Sequence, residues 1–228
     1  MQVIAHPSPN CGDRRDGLTP KLIVLHFTAM ADTPSALERL CAPEHEVSAH
    51  YLISREGEVF QMVDEAARAW HAGAGEWAGQ GDVNSRSIGI ELDNSGATPF
   101  SALQMDALED LLRGIMQRWA IGPEGVIGHS DMAPTRKSDP GRRFDWRRLA
   151  RHGLAIWPEG GMAAPDQAAF LQAAVKFGYG ADFGAAPVLD AFRQRFRPHA
   201  HGPLDAQDMG AILDLAHRFG VDCASHNA

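Results

Sequence analysis

The stretch KLIVLHFT, residues 21–28, is apolar on both of its alternating faces. Leu22 and Val24 lie on one face, Ile23, Leu25 and Phe27 on the other. A strand of this kind must be covered on both sides, which places it in the middle of a sheet. His26 stands at its C-terminal end. A helix follows, because Asp32 or Thr33 supplies an N-cap and Pro34 occupies a first-turn position that tolerates proline.

VSAHYLIS and EVFQMV, joined by Arg55-Glu56-Gly57, read as a hairpin. SIGIELDN (87–94) alternates, with Ile88, Ile90 and Leu92 on one face and Gly89, Glu91 and Asp93 on the other. Ser101 and Gln104 form a capping-box pattern ahead of a helix whose stripe runs Leu108, Leu111, Leu112, Ile115, Met116, Trp119. GVIGH reads as a short strand ending at His129, and DWRRLARHG as a short helix stopped by Gly153. The mixture lacks a strict β-α-β rhythm, so it predicts an α/β (α+β) fold with a mixed central β-sheet flanked by helices. Past the Gly- and Pro-rich residues 156–165, only helical patterns remain, near 165–177, 187–196 and 205–219. The chain therefore divides into a first unit, 1–158, and a small three-helix unit, 159–228.

Composition excludes several functions. With 228 residues and a net charge of −8, the chain is a poor polyanion binder, so no nucleic-acid partner is expected. No apolar run is long enough for a transmembrane segment. The first residues lack a basic region followed by an apolar one, which predicts a cytoplasmic protein; a targeting segment outside this sequence or a non-standard export route predicts a periplasmic one. Cys11, Cys41 and Cys223 lie far apart, an odd and sparse set that argues against a disulfide framework and against a thiolate zinc knuckle. Nothing in the sequence reports the oligomeric state.

GHSDMAPTRKSDPG, residues 128–141, crowds His129, Lys137 and Asp139 into a segment too rich in Pro and Gly for helix or strand. His26 and His129 both end strands, where rigid backbone presents side chains to a cleft. Two imidazoles and one carboxylate suit Zn²⁺ and leave a fourth position for water. The alternative is that both histidines bond to backbone and Asp139 is a turn former. Pro140 favours extended geometry at Asp139, and Gly141 permits a sharp turn behind it. Glu91 is an acid in the middle of an apolar strand, where a carboxylate needs a partner or a task. It fits either a general base beside a metal-bound water or a member of an edge salt bridge. Lys137 fits an oxyanion-stabilising cation or a solvated loop lysine.

VLHFTA, VSAHYLI, RAWHAG, SIGIELDN, GHSDMAP and RKSDPG, in this order, resemble the zinc-dependent N-acetylmuramoyl-L-alanine amidases (amidase type 2) of the peptidoglycan-recognition-protein-like superfamily, over roughly residues 5–158. The resemblance implies one Zn²⁺ held by His26, His129 and Asp139, with Glu91 and Lys137 as catalytic groups. It implies hydrolysis of the amide between the lactyl group of N-acetylmuramic acid and L-alanine, in peptidoglycan or in soluble muropeptides, anhydro forms among them. A non-catalytic recognition module is the rival, since the superfamily contains such proteins; loss of a ligand marks them, and all three ligand positions are filled here. FLQAAVKFGYG, VLDAFRQRFRP and GPLDAQDMGAILDLAHRFG are similar to the peptidoglycan-binding-like helical domain that follows the catalytic domain in one branch, and read equally as a stabilising appendage. Trp70 and His71 are candidate walls of a substrate cleft, or local packing; Arg68 and Asn84 are candidate contacts for the peptide. His45 and His50 cannot share a metal if they lie on one strand, and His50 reads as a core or supporting histidine. His199, His201 and His226 are expected to face solvent.

Overall fold

The computed structural model describes residues 2–221. Among these residues eight strands form: β1 (Val3–Ala5), β2 (Cys11–Gly12), β3 (Leu22–Phe27), β4 (Tyr51–Ile53), β5 (Val59–Gln61), β6 (Arg68–Ala69), β7 (Ser87–Leu92) and β8 (Val126–Gly128). Eight α-helices accompany them: α1 (Thr33–Cys41), α2 (Val83–Arg86), α3 (Ala102–Trp119), α4 (His129–Met132), α5 (Trp146–Arg151), α6 (Gln167–Phe177), α7 (Ala185–Phe196) and α8 (Ala206–Phe219). The main sheet has the order β1-β5-β4-β7-β3-β8. It is mixed: β4 and β5 are antiparallel, and the other pairs, including β7-β3 and β3-β8, are parallel. β3 lies inside the sheet, paired with β7 on one side and the edge strand β8 on the other, and both of its apolar faces are covered. β2 and β6 make a separate small antiparallel ribbon that the sequence pattern did not announce.

The sheet face carrying Ile23, Leu25, Ile88, Ile90 and Leu92 packs on the α3 side chains Met105, Leu108, Leu111, Leu112 and Ile115. Burying each such side chain contributes roughly 1.5–3 kcal/mol. Ser101 caps α3 as expected, its Oγ accepting from the Gln104 backbone N–H at 3.1 Å. The reciprocal half of the capping box is absent. The Gln104 side chain is buried against the sheet and donates instead to the carbonyls of Ile53 and Asp93, at 2.9 and 3.2 Å. Asp32 caps α1, accepting from the Ser35 N–H at 2.9 Å.

On the opposite face, Leu22, Val24 and Ile127 share one core with Phe170, Ala174, Phe192, Phe196, Ile212 and Leu215 of α6–α8. The compositional break near residue 159 is thus not a break in packing. His26 follows Leu22 and Val24 on this face, beyond the reach of that core.

The far end of α3 is pinned by Glu65. Its carboxylate accepts from Arg118 at 2.6 and 3.0 Å, from Trp119 Nε1 at 2.6 Å and from the Tyr51 hydroxyl at 2.8 Å. Burial pushes this carboxyl upward, but these donors outweigh it, and the net effect is a value below the ordinary 4.5. A depressed folded-state value gives stability that is present above pH 4.5 and lost as pH falls through the folded value. Thermal melts should show that acid-side loss in the wild type and a shallower one in Glu65→Gln. The variant should also melt lower at neutral pH, by roughly 4–8 °C for about 2 kcal/mol of charge-assisted bonding. Identical acid-side slopes in the two proteins would count against the assignment.

Candidate active site

Parallel strands bring their carboxyl ends to one edge of the sheet, and ligands bind in the crevice beyond such ends. His26 is the fifth residue of β3, Glu91 the fifth of β7, and the register places them directly opposite each other. Since the β-period is two, both side chains emerge on the same face. β8 ends at Gly128, one residue earlier than its pattern suggests, and His129 opens the single turn α4. A backbone bond from Ser130 N–H to the Asp139 carbonyl, 2.9 Å, folds the following loop back on that turn. The Asp139–Pro140 peptide is cis.

The result is a tight triangle. Nδ1 of His26 and Nδ1 of His129 are 2.9 Å apart, and each lies 3.0 Å from Oδ2 of Asp139. All three residues are buried. Among the described residues, they are the group of His, Cys, Asp and Glu side chains placed to hold a metal ion.

The protons on these atoms follow from their outer partners. His129 Nε2 lies 2.9 Å from the Ala72 carbonyl, which only accepts, so this nitrogen carries the proton and Nδ1 is bare. The chain behind His26 is longer. The Ser87 hydroxyl donates to the Val83 carbonyl at 2.6 Å, so it accepts from His71 Nε2 at 3.2 Å. His71 Nδ1 is then bare and accepts from His26 Nε2, at 3.0 Å, which leaves His26 Nδ1 bare as well. Burial, with neighbouring imidazoles adding to it, holds His71 well below its ordinary value and His26 down at about 4, so both are neutral rings. Burial alone would raise Asp139; positive charge on its His129 and His26 side outweighs burial and holds the carboxyl below its ordinary value, and with both Nδ1 atoms bare that charge has to come from a cation between them. Two nitrogen lone pairs and an anionic oxygen therefore face one another within 3.0 Å. That arrangement repels itself unless a cation sits among them, and nitrogen–nitrogen–oxygen donors are a set zinc favours.

Glu91 stands beside the triangle. Its Oε2 is buried and has no hydrogen-bond partner among the described residues. Burial, reinforced by the charge of Asp139 and opposed by Lys137, pushes its carboxyl up to about 8. Lys137 is exposed on the rim of the same cleft. This cleft has a volume of about 290 Å³ and includes Trp70, His71 and the three converging residues in its lining. His26, Glu91, His129, Lys137 and Asp139, picked out in the sequence, are thus together.

The four candidate substrate contacts separate. Trp70 and His71 line the cleft, although His71 is chiefly the support behind His26. Gly89 makes room for it, since a Cβ there would sit 2.4 Å from the His71 ring. Arg68 faces away, bonded to Asp82 at 2.9 Å and Ser85 at 3.0 Å. Asn84 is buried, its Oδ1 accepting from the N–H groups of His71 and Ala72 at 3.0 and 2.8 Å. It thereby places the ring and the carbonyl that set both histidine tautomers. His50 is a supporting histidine, accepting from the Gly89 N–H at 2.9 Å. Arg39 and Met30 also line the cleft. No local pattern singles them out, because only the packing of α1, which carries Arg39, and of the segment leading into it, which carries Met30, brings them there. His199 and His201 are exposed, whereas Cys223 and His226 lie outside the described residues.

A family model described as N-acetylmuramoyl-L-alanine amidase matches residues 16–142. The chain belongs to this amidase family. It is 34% identical over 235 residues to the N-acetylmuramoyl-L-alanine amidase AmiD of Escherichia coli (strain K12), across 89% of this chain and 84% of that protein. It is 36% identical over 161 residues to the 1,6-anhydro-N-acetylmuramyl-L-alanine amidase AmpD of the same organism, across 63% of this chain and 87% of AmpD. Among solved structures, E. coli AmiD in complex with the substrate anhydro-N-acetylmuramic acid-L-Ala-D-gamma-Glu-L-Lys superimposes with a TM-score of 0.82 at 33% identity, covering 91% of this chain and 93% of that one. AmpDh3 from Pseudomonas aeruginosa, in complex with anhydromuramic pentapeptide, does so with a TM-score of 0.81 at 30% identity, covering 89% and 93%. The α/β architecture with a mixed sheet between helices is the one these amidases share. No helix among the described residues is long and apolar enough to cross a membrane.

Proposed function

We propose that the chain hydrolyses the amide between the lactyl group of N-acetylmuramic acid and L-alanine of the stem peptide, with one zinc ion held by His26, His129 and Asp139. The observation that carries the proposal is the triangle of three unprotonated donors with an unpartnered carboxylate beside it. Zinc bound there would supply Lewis acidity to the scissile carbonyl and acidify the attacking water. Glu91 Oε2 takes the proton from that water and returns it to the departing amine nitrogen. A resting value near 8, with the opposing charge of Lys137 already in place, is high for a base at neutral pH, and a cation held by the neighbouring triangle would draw it into range. Lys137 faces the oxyanion of the tetrahedral intermediate and stabilises it. Trp70 offers an aromatic face to the sugar or peptide, and Arg39 offers a cation to the acidic stem.

The substrate bound to AmiD and the anhydromuramic pentapeptide bound to AmpDh3 support muropeptides, anhydro forms included, as the substrate class. In the same reading, residues 1–158 are the catalytic unit, and 159–228 the helical unit of peptidoglycan-binding type. The test is digestion of soluble anhydro-muropeptide and of intact sacculi, read by mass spectrometry with and without a zinc chelator. Release of free stem peptide, lost on chelation and restored by Zn²⁺, is the expected result. The preferred substrate reports whether the enzyme serves cytoplasmic recycling or the periplasmic wall. Tight muropeptide binding without cleavage would replace the enzyme by a recognition module.

A further inference from the structure

The turn that presents His129 is held from outside the first unit. Asp131 lies two residues after His129 and is almost wholly buried. Its Oδ2 accepts from the Gly128 N–H at 2.8 Å and from Arg195 Nη1 at 2.9 Å, while its Oδ1 accepts from the Tyr179 hydroxyl at 2.8 Å. Tyr179 follows α6, and Arg195 is on α7. The same guanidinium donates through Nη2 to the Val126 carbonyl at 2.9 Å, so it grips β8 at its first residue and the turn just past its last. Arg195 and Asp131 each leave 1% of their side chain exposed. Two rings flank the buried cation, Trp146 at 4.6 Å and Phe196 at 4.8 Å from its carbon.

We infer that Arg195 and Tyr179 are positioning residues for the metal site, and that the helical unit is part of the foundation of the catalytic centre. The inference rests on the zinc reading above. An arginine is the residue for this place, because one fork reaches a carboxylate and a carbonyl at once. Without it, Asp131 is a buried anion left with two neutral donors, the Gly128 N–H and the Tyr179 hydroxyl, and no counter-charge, and a buried unpaired charge moves toward solvent. Asp131 cannot move without releasing the Gly128 N–H, and Gly128 is wedged against the other ligand's loop: a Cβ there would lie 2.9 Å from Pro140 Cδ. Through that wedge and the Ser130–Asp139 backbone bond, displacement of Asp131 disturbs His129 and Asp139 together. The helices therefore act on how tightly the donors hold zinc, whatever they touch on the cell wall.

The experiment is competitive zinc titration of the full-length protein, with muropeptide KM measured at saturating zinc. Arg195→Met is expected to weaken zinc about 10- to 100-fold, the range for lost outer supports of a ligand. Tyr179→Phe, which keeps the ring and removes one hydrogen bond, is expected to weaken it about fivefold. KM should stay near the wild-type value in both, because neither residue lines the cleft. Phe192→Leu serves as control: it loosens the same helical core without touching Asp131, so it should lower the melting temperature and leave zinc affinity alone. Should Arg195→Met fail to fold, Tyr179→Phe decides. Zinc affinity within twofold of wild type in the folded variants, or equal weakening in the control, would overturn the inference. A wild-type chain that takes up no zinc would overturn the reading of the site itself, and this inference with it.

Discussion

Replacing Glu91 by glutamine is expected to lower kcat by roughly 10²–10⁴-fold while zinc affinity stays close to wild type. Glutamine preserves the volume and one oxygen but cannot accept a proton at neutral pH. Glu91 contacts none of the three donors by hydrogen bond, and its buried Oε2 has no partner, so the fold does not depend on its charge. The purely structural alternative, a carboxylate kept for a salt bridge, predicts the opposite: little change in kcat and a loss of stability. Steady-state turnover of an anhydro-muropeptide, paired with a zinc titration of the same sample, separates the two. Retention of more than a tenth of wild-type turnover would remove Glu91 from the mechanism.

Lys137→Ala is expected to cost about 10²–10³-fold in kcat, the usual loss when one oxyanion donor is deleted. Lys137 is exposed and sits two residues from Asp139, so the variant should fold and should still bind zinc. KM should change little, because the charge on the carbonyl oxygen develops only as water attacks. Lys137→Arg should recover part of the rate. A variant that loses rate only through a higher KM would assign Lys137 to ground-state binding of the acidic stem peptide instead.

The parts of this site that are legible in the sequence are those governed by local period. β7 alternates strictly and β3 is apolar on both faces, so the strand period of two fixes the faces of Glu91 and His26, and the parallel register then sets them side by side. The loop carrying Lys137 and Asp139 is short, and its Pro and Gly content confines where it can turn. The supports obey no such period. His71 reaches His26 across 45 residues, and Arg195 reaches Asp131 across 64, contacts that exist only once separate layers have packed. Arg68 and Asn84 illustrate the converse. Both look like polar residues awaiting a substrate, and both are consumed within the stretch from β6 to α2, one by Asp82 and one by two backbone N–H groups. The division near residue 159 is legible as a change in composition, yet the core beneath it runs on from Leu22 and Val24 to Phe192.

The most direct test of the central claim is zinc stoichiometry and turnover measured together, in the wild type and in His129→Ala. The triangle of bare donors predicts one tightly held zinc per wild-type chain and turnover that rises and falls with its occupancy. It also predicts that His129→Ala loses both. Turnover that survives complete removal of zinc, or uptake of zinc unchanged in His129→Ala, would contradict it.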